Sequence, residues 1–484
     1  MSGAGGAPPR GADKTGRAAE EAAPRGRLIV CVVYVTVVFM VGMDTTIVNL
    51  ALPAIARKFA VPAAATGAVD VAYLVSVAVC IPLSGWLSDR FGAKRVFLAA
   101  LAAFTAASVL CGVSGGLGTL VAARVVQGSA GGLLTPVGLT LLYLAYPPED
   151  RIRLARAIVL PGALAPTLGP VVGGLLVEHL SWRWGFAINV PVGAAALVAG
   201  ALALAGPAER VRRCFDLRGF LLIAPGAGLV MYALNAGAAH GWGPAQTGLG
   251  VLGAALVVAF ALAGRRTAHP LVDLTVFRDA TFRAAGSAMV FLVAGFMAAG
   301  YAFTLLFQQG LGASPSHAGL AVFPKAVGLI CASQVAGRLQ RRFGAGRVVT
   351  ACMLGAAAAI AATDLIGAGT PLWAIGALHF AMGFCVGQSS IQLQVTAFAT
   401  IGKAATAAAS TLYNAQRQMA SALGVSMAAG VLAAAHSAGG LVPYRAAMGA
   451  AAGCAVIAAL LAFRLTKIGP PVPAAAAAVR AAGS

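Results

Sequence analysis

Long apolar runs separated by short polar segments repeat along the 484 residues of the chain. Runs of roughly 18–25 apolar residues are long enough to cross a bilayer as helices. Fourteen can be marked, at about 28–51, 67–87, 95–114, 117–141, 157–177, 184–205, 218–238, 246–264, 284–306, 317–337, 347–367, 371–394, 405–434 and 445–463. The runs at 218–238, 246–264 and 405–434 stand out least, because glycine and alanine lower their contrast. The pattern predicts an all-α integral membrane protein, since lipid tails accept an apolar exterior that water would not.

Composition agrees. The residues AVILMFWYC make up 60% of the chain and charged residues 10%, against roughly 25% charged in a soluble domain. The net charge of +20 invites a nucleic-acid reading, but the charges sit in short clusters between apolar runs, with no basic face on one element. The positive-inside rule accounts for them. With the N-terminus in the cytoplasm, 27 of the 34 Lys and Arg fall in cytoplasmic segments, four in external ones and three within spans. That bias puts both termini inside and requires an even number of spans. Seven of the eight cysteines lie inside apolar runs and none forms a CxxC, so they read as packing residues rather than disulfides or metal ligands. Residues 1–27 lack the apolar core of a signal peptide and read as a disordered cytoplasmic tail. The loops leave no room for a catalytic domain. The nearest string to a P-loop, Gly6 to Thr15, puts Lys14 two residues late. No cofactor or metal is expected, and an ion gradient is the remaining energy source.

Two polar segments resemble each other: GWLSDRFGAKR (Gly85 to Arg95) and GRLQRRFGAGR (Gly337 to Arg347). Each follows an apolar run, as parallel repeats predict. Six spans in each half would leave the seventh and eighth as an inserted pair. The domain reading is then a tail at 1–27, an N-terminal six-helix bundle at 28–205, an inserted helix pair with its loops at 206–283, a C-terminal six-helix bundle at 284–466 and a cytoplasmic tail at 467–484.

The first of these segments, with Gly85, Leu87, Ser88, Asp89, Arg90 and Gly92, resembles the loop 2–3 signature of the major facilitator superfamily. Further stretches resemble its 14-span drug:proton antiporter branch: MDTTIVNLALP (Met43 to Pro53), RVVQGSAGGLLTP (Arg124 to Pro136), PTLGPVVGG (Pro166 to Gly174), WRWGFAINVPVG (Trp182 to Gly193), HPLVDLTVFRDATFRAA (His269 to Ala285), GASPSHAGLAVFP (Gly312 to Pro324) and NAQRQMASALG (Asn414 to Gly424). They occur in order on the appropriate spans. Three places depart from the pattern. Ala93 stands where the loop usually has Arg, Ala68 and Asp70 replace part of an aromatic-led start to the second span, and Lys325 follows Pro324 where the family is usually apolar.

The resemblance implies two six-helix bundles of the major facilitator type plus two inserted helices, in a multi-pass bacterial cytoplasmic membrane protein. It implies no catalytic residues. Proton coupling would fall on Asp44 in span one, with Arg124 in span four as its plausible partner. The Pro166, Gly169, Pro170, Gly173 and Gly174 stretch would be the antiporter signature, a kinked close helix contact. Gly85, Asp89, Arg90 and Gly92 would form a conformational loop whose charges latch the outward-facing state.

From the residues themselves, ionisable groups in spans are costly and point to function unless paired. Asp70 is open between a role in the path and a solvated acid at a helix start, the blander option. Asp364 is similarly open near the outer end of span eleven. Arg417 and Lys325 either bond between helices or line the path, with Lys325 leaning toward selecting charge. His379 reads as a packed histidine. Gln388, Gln392 and Gln394 could bond substrate or neighbouring helices. The partners implied are protons, the bilayer and a small amphipathic or aromatic substrate, with no nucleic acid, for a chain expected to be a monomer. A facilitator or importer on the same scaffold is the alternative within transport. An integral membrane enzyme lacks the clustered acids that a metal-bound phosphate substrate needs. The Ala-, Gly- and Arg-rich composition suggests a high-GC bacterium, where antibiotic or natural-product export would be useful.

Overall fold

The computed structural model describes residues 24–466 apart from 62, 147–149, 151–153, 155–164, 166–167, 170–171, 174, 178, 204–214, 265–266, 268–269, 313–314, 368, 436 and 438. The regular secondary structure of the described residues is all helical, without strands. A bilayer explains the choice, because a helix satisfies its own backbone groups where no water can.

The helices are α1 (Pro24–Phe59), α2 (Ala63–Cys80), α3 (Leu83–Phe91), α4 (Ala93–Gly112), α5 (Leu117–Ala145), α6 (Trp184–Ala187), α7 (Asn189–Ala203), α8 (Leu217–His240), α9 (Pro244–Gly264), α10 (Ala280–Leu305), α11 (Pro315–Phe343), α12 (Ala345–Ala361), α13 (Leu372–Ala397), α14 (Thr406–Ala434) and α15 (Val442–Leu465). Among the described residues, eleven helices are long and apolar enough to cross a membrane, or twelve if the bent α2–α3 pair counts as one. The fifth expected span lies mostly outside the described residues, and α14 is too polar to pass by hydropathy alone although it has 29 residues.

α1, α2, α4, α5 and α7 pack on one another, and α10 to α15 do likewise. α8 and α9 pair as a hairpin, and α8 touches both α2 and α14. One apolar cluster is shared by three helices: Leu74, Val75 and Ala78 of α2, Ala227 and Met231 of α8, and Met419 and Ala422 of α14. The first group meets the second at the end bearing the Gly85 segment. There Ser84 and Thr411 hydroxyls hydrogen-bond at 2.8 Å, and Tyr143 stacks on Phe398 with ring centroids 4.5 Å apart.

The structure corrects three boundaries. α1 begins at Pro24, so residues 24–27 are helix rather than tail; residues 1–23 lie outside the described set. The second apolar run is not one helix but bends by 55° between α2 and α3. Pro82 is the cause: it has no N–H to donate and suits the residue opening a new helix. Consequently Gly85, Asp89 and Arg90, expected on a loop, lie on α3, and the turn is confined to Gly92, whose φ of 87° favours glycine.

Candidate functional site

α2 can approach α5 closely because α5 presents glycines. A Cβ at Gly128 would collide with the Tyr73 carbonyl, and one at Gly132 would lie 2.6 Å from the Val77 carbonyl. Small residues at this spacing let backbones meet. The approach brings Arg124, one turn before Gly128, under the start of α2. Its Nε donates to the Val69 carbonyl at 3.3 Å, and its guanidinium lies 4.1 Å from the Tyr73 ring centroid.

Arg124 is fully buried and Asp44 is 1% exposed. Arg124 Nη1 donates to Asp44 Oδ2 at 2.5 Å and to Gln127 Oε1 at 2.8 Å. The other carboxylate oxygen, Asp44 Oδ1, accepts from Gln127 Nε2 at 3.0 Å and from Asn189 Nδ2 at 2.8 Å. Gln127 Nε2 also reaches Ser108 Oγ at 2.8 Å. Three helices, α1, α5 and α7, thus meet at one carboxylate, and α4 joins them through the Gln127–Ser108 bond. Two neutral amide donors and one cation offset its desolvation, which is what makes a buried ion pair tolerable.

Asp70 joins this cluster. Its Oδ1 lies 3.8 Å from Arg124 Nη2, too far for a hydrogen bond, and neither atom has a hydrogen-bond partner among the described residues. Its side chain is 23% exposed, against none for Asp44. The blander expectation of a solvated helix-start acid is therefore corrected: α2 turns Asp70 toward Arg124. One cation faces two carboxylates, one sequestered and one reachable. A proton added to either changes how Arg124 is shared. That is the chemistry the cluster offers.

The described part of the Gly169 stretch, expected from the resemblance to be an antiporter signature, sits beside it. Ala165 packs on Gly42, where a Cβ would come within 2.9 Å, and a Cβ on Gly169 would collide with Thr46 Oγ1. Gly42 and Thr46 flank Asp44 on α1. Gly173 is buried. Pro166, Pro170 and Gly174 lie outside the described residues, as does His269.

The remaining candidates do not converge on the ion pair. Gly85 faces Thr411, whose hydroxyl a Cβ would meet at 3.2 Å, Asp89 is half-buried and Arg90 exposed. Asp364 ends α12 in a short 3-10 turn, with a buried Oδ1 that has no hydrogen-bond partner among the described residues. Arg417 is exposed on α14 although mid-helix, within electrostatic reach of Tyr34 on α1 and of Tyr413. Lys325 is half-buried on α11, its ammonium 4.7 Å from the Phe296 ring centroid. His379 packs its ring edgewise on Phe303 at 4.2 Å and bonds the Ile375 carbonyl within its own helix. Gln388 and Gln392 donate to the Ala332 and Ala336 carbonyls at 2.7 and 2.9 Å, so they tie α13 to α11. A separate cavity of about 1020 Å³, lined by Pro82, Phe260, Arg278, Arg283 and Thr411 among others, lies at the opposite end from the ion pair. Among the described residues no group of three or more His, Cys, Asp or Glu could hold a metal.

Gln127, Asn189, Ser108 and Tyr73 were not singled out from the sequence. Gln127 lies within the RVVQG stretch, and Asn189 within the WRWGFAINVPVG stretch that opens span six. A polar residue one helical turn from a buried arginine was the available signal for Gln127.

Residues 34–302 match the family model described as Major Facilitator Superfamily. A protein of Escherichia coli O157:H7 described as "Putative multidrug resistance protein MdtD" is 38% identical over 320 residues, 66% of this chain and 67% of that protein. Its namesake from Salmonella heidelberg (strain SL476) is 37% identical over 323 residues, 66% of this chain and 68% of that one. The crystal structure of the human organic anion transporter MFSD10 (TETRAN) superposes with a TM-score of 0.63 over 91% of this chain and 100% of that chain. At 17% identity this likeness is one of fold alone.

Proposed function

The chain belongs to the Major Facilitator Superfamily of membrane transporters, and we propose that it is a proton-coupled efflux antiporter for small amphipathic or aromatic molecules, with Asp44, Asp70 and Arg124 as its proton switch. The observation that carries this is the sharing of one buried arginine between two carboxylates of unequal exposure. Protonation of a carboxylate weakens its hold on Arg124, and deprotonation restores it, so a proton biases a two-state element. Asp70 is the entry point and Asp44 the seat that fixes the resting arrangement. The multidrug-resistance description of the 38%-identical relative supports the direction and breadth of transport.

The remaining elements fit this reading. Fourteen spans follow if the fifth, mostly outside the described residues, and α14 cross the membrane, with α8 and α9 as the inserted pair. The positive-inside bias then puts both termini and the Gly85 segment in the cytoplasm of a bacterial inner membrane. The end closed by Ser84–Thr411 and Tyr143–Phe398 is thereby the cytoplasmic one, and the conformer is outward-facing. The energetics suffice. A proton moving down 100 mV yields roughly 2.3 kcal/mol and one pH unit adds about 1.4 kcal/mol, enough for a gradient of about several hundred-fold in a neutral solute. The protein works as a monomer and needs no cofactor.

The test is substrate-induced proton release from inverted vesicles, run beside substrate binding. Asp44→Asn keeps binding and loses proton release. Asp70→Asn lowers release without abolishing binding. Full proton-coupled export by Asp44→Asn would remove the switch from this cluster.

A further inference from the structure

The charges of the two helix groups are strongly unequal along the membrane. Residues 284–484 contain a single acid, Asp364. The same stretch places Lys325 in α11 and Arg417 in α14, both in helix interiors. Among the described residues no carboxylate lies within 4.0 Å of either, since the ion pairs there all involve Arg124. Neither side chain donates a hydrogen bond to a described residue. In the other group, by contrast, Arg124 is matched by two carboxylates. A cation at membrane depth is expensive unless paired, and an unpaired one marks a site of function.

The surroundings of Lys325 indicate what would pair with it. Its ammonium stands over Phe296 of α10 and comes within 3.8 Å of the space a Cβ on Gly300 would take. Gly300 leaves that space free. On the other flank, the Lys325 carbonyl is pressed against Gly383 of α13, which holds this turn of α11 in place. His379 of α13 is within electrostatic reach and packs edgewise on Phe303 of α10. The half-buried Lys325 thus holds its ammonium over one aromatic ring of α10, on a turn of α11 pressed against α13. Aromatic rings can hold a cation's charge but leave its N–H donors unmet.

We propose that Lys325 is the charge-recognition residue of the substrate site, and that the site takes aromatic or amphipathic molecules bearing an acidic group: a carboxylate, or an enolate or phenolate. The acid pairs with the ammonium while its ring stacks against Phe296. This rests on the transport reading above but not on its proton coupling.

The probes are 2-naphthoate, its neutral isostere 2-naphthamide, and (2-naphthyl)trimethylammonium. Binding to the full chain in lipid nanodiscs is measured by equilibrium dialysis. Wild type prefers the acid over the amide by about 10- to 100-fold, the range expected for hydrogen bonds to a charged group. Lys325→Gln erases that preference while leaving amide affinity within about twofold, and Lys325→Arg keeps it. Absence of an acid preference in wild type overturns the proposal. So does a parallel loss of acid and amide binding in Lys325→Gln, which would make Lys325 a structural partner, for example of Asp70 in another conformer. An acid preference without proton release for any probe would instead strike the coupling reading and leave this one standing.

Discussion

Replacing Asp44 separates the cost of the ion pair from its purpose. In Asp44→Asn the Arg124 guanidinium keeps its burial and its Val69 bond but loses its 2.5 Å charge partner. Gln127 and Asn189, which both donate to Oδ1, then meet an amide that has one acceptor oxygen and competing donors of its own. Removing one partner of a buried pair costs about 3–5 kcal/mol. Asp70, at 3.8 Å from Arg124, recovers part of that by moving closer, so the lower figure applies. Arg124→Gln alone strands Asp44 instead, although its two amide donors soften the loss to about 2–3 kcal/mol. The double variant Asp44→Asn, Arg124→Gln leaves four amides able to bond one another, and its stability returns to within about 1 kcal/mol of wild type. The cycle is measured by unfolding titration in detergent micelles, beside proton release in vesicles. Stability restored with proton release still absent is the expected result. A coupling energy under about 1 kcal/mol would refute the buried pair. A double variant that still exports uphill would refute its role.

Gly169→Val drives a side chain into Thr46, two residues from Asp44, and should abolish transport while leaving protein in the membrane, as read by immunoblot and efflux; Thr46→Gly in the same chain should restore part of it. Thr411→Val removes the 2.8 Å bond to Ser84, worth about 1 kcal/mol, and should shift the conformer ratio about fivefold away from the end closed at Gly85. Distances between spin labels across that end would report the shift, and an unchanged distribution would mean that other contacts hold the closure.

Much of this was legible beforehand, and the part that was not has a geometric cause. Apolar run length places helices along the chain, and the family resemblance, with the cost of two buried charges, pointed to Arg124 as the partner of Asp44. Run length does not tell how each helix is rotated about its axis. Asp70 near the end of an apolar run is compatible with solvent or core, and only the close approach permitted by Gly128 and Gly132 turns it to Arg124. Gln127 and Asn189 are polar residues in spans, whose destination depends on neighbours far away in sequence. Gln388 and Gln392 illustrate the same ambiguity with the opposite outcome, spent on the carbonyls of a neighbouring helix. The kink between α2 and α3 was signalled by Pro82 but hidden by the hydropathy of the residues on either side.

The cluster joining α2, α8 and α14 has a mechanical consequence. A hairpin seated on one moving body travels with it as cargo. α8 is seated on two. On the proposed transport reading, were those bodies to turn against each other, a rigid helix could keep its register with at most one, and Ala227 and Met231 would slide past either Ala78 or Met419. Side chains as smooth and pliable as alanine and methionine suit such a bearing. On that reading the hairpin would act as a brake whose friction is set by that seam, and a bulkier residue at Ala227 would slow turnover without touching either the substrate or the proton.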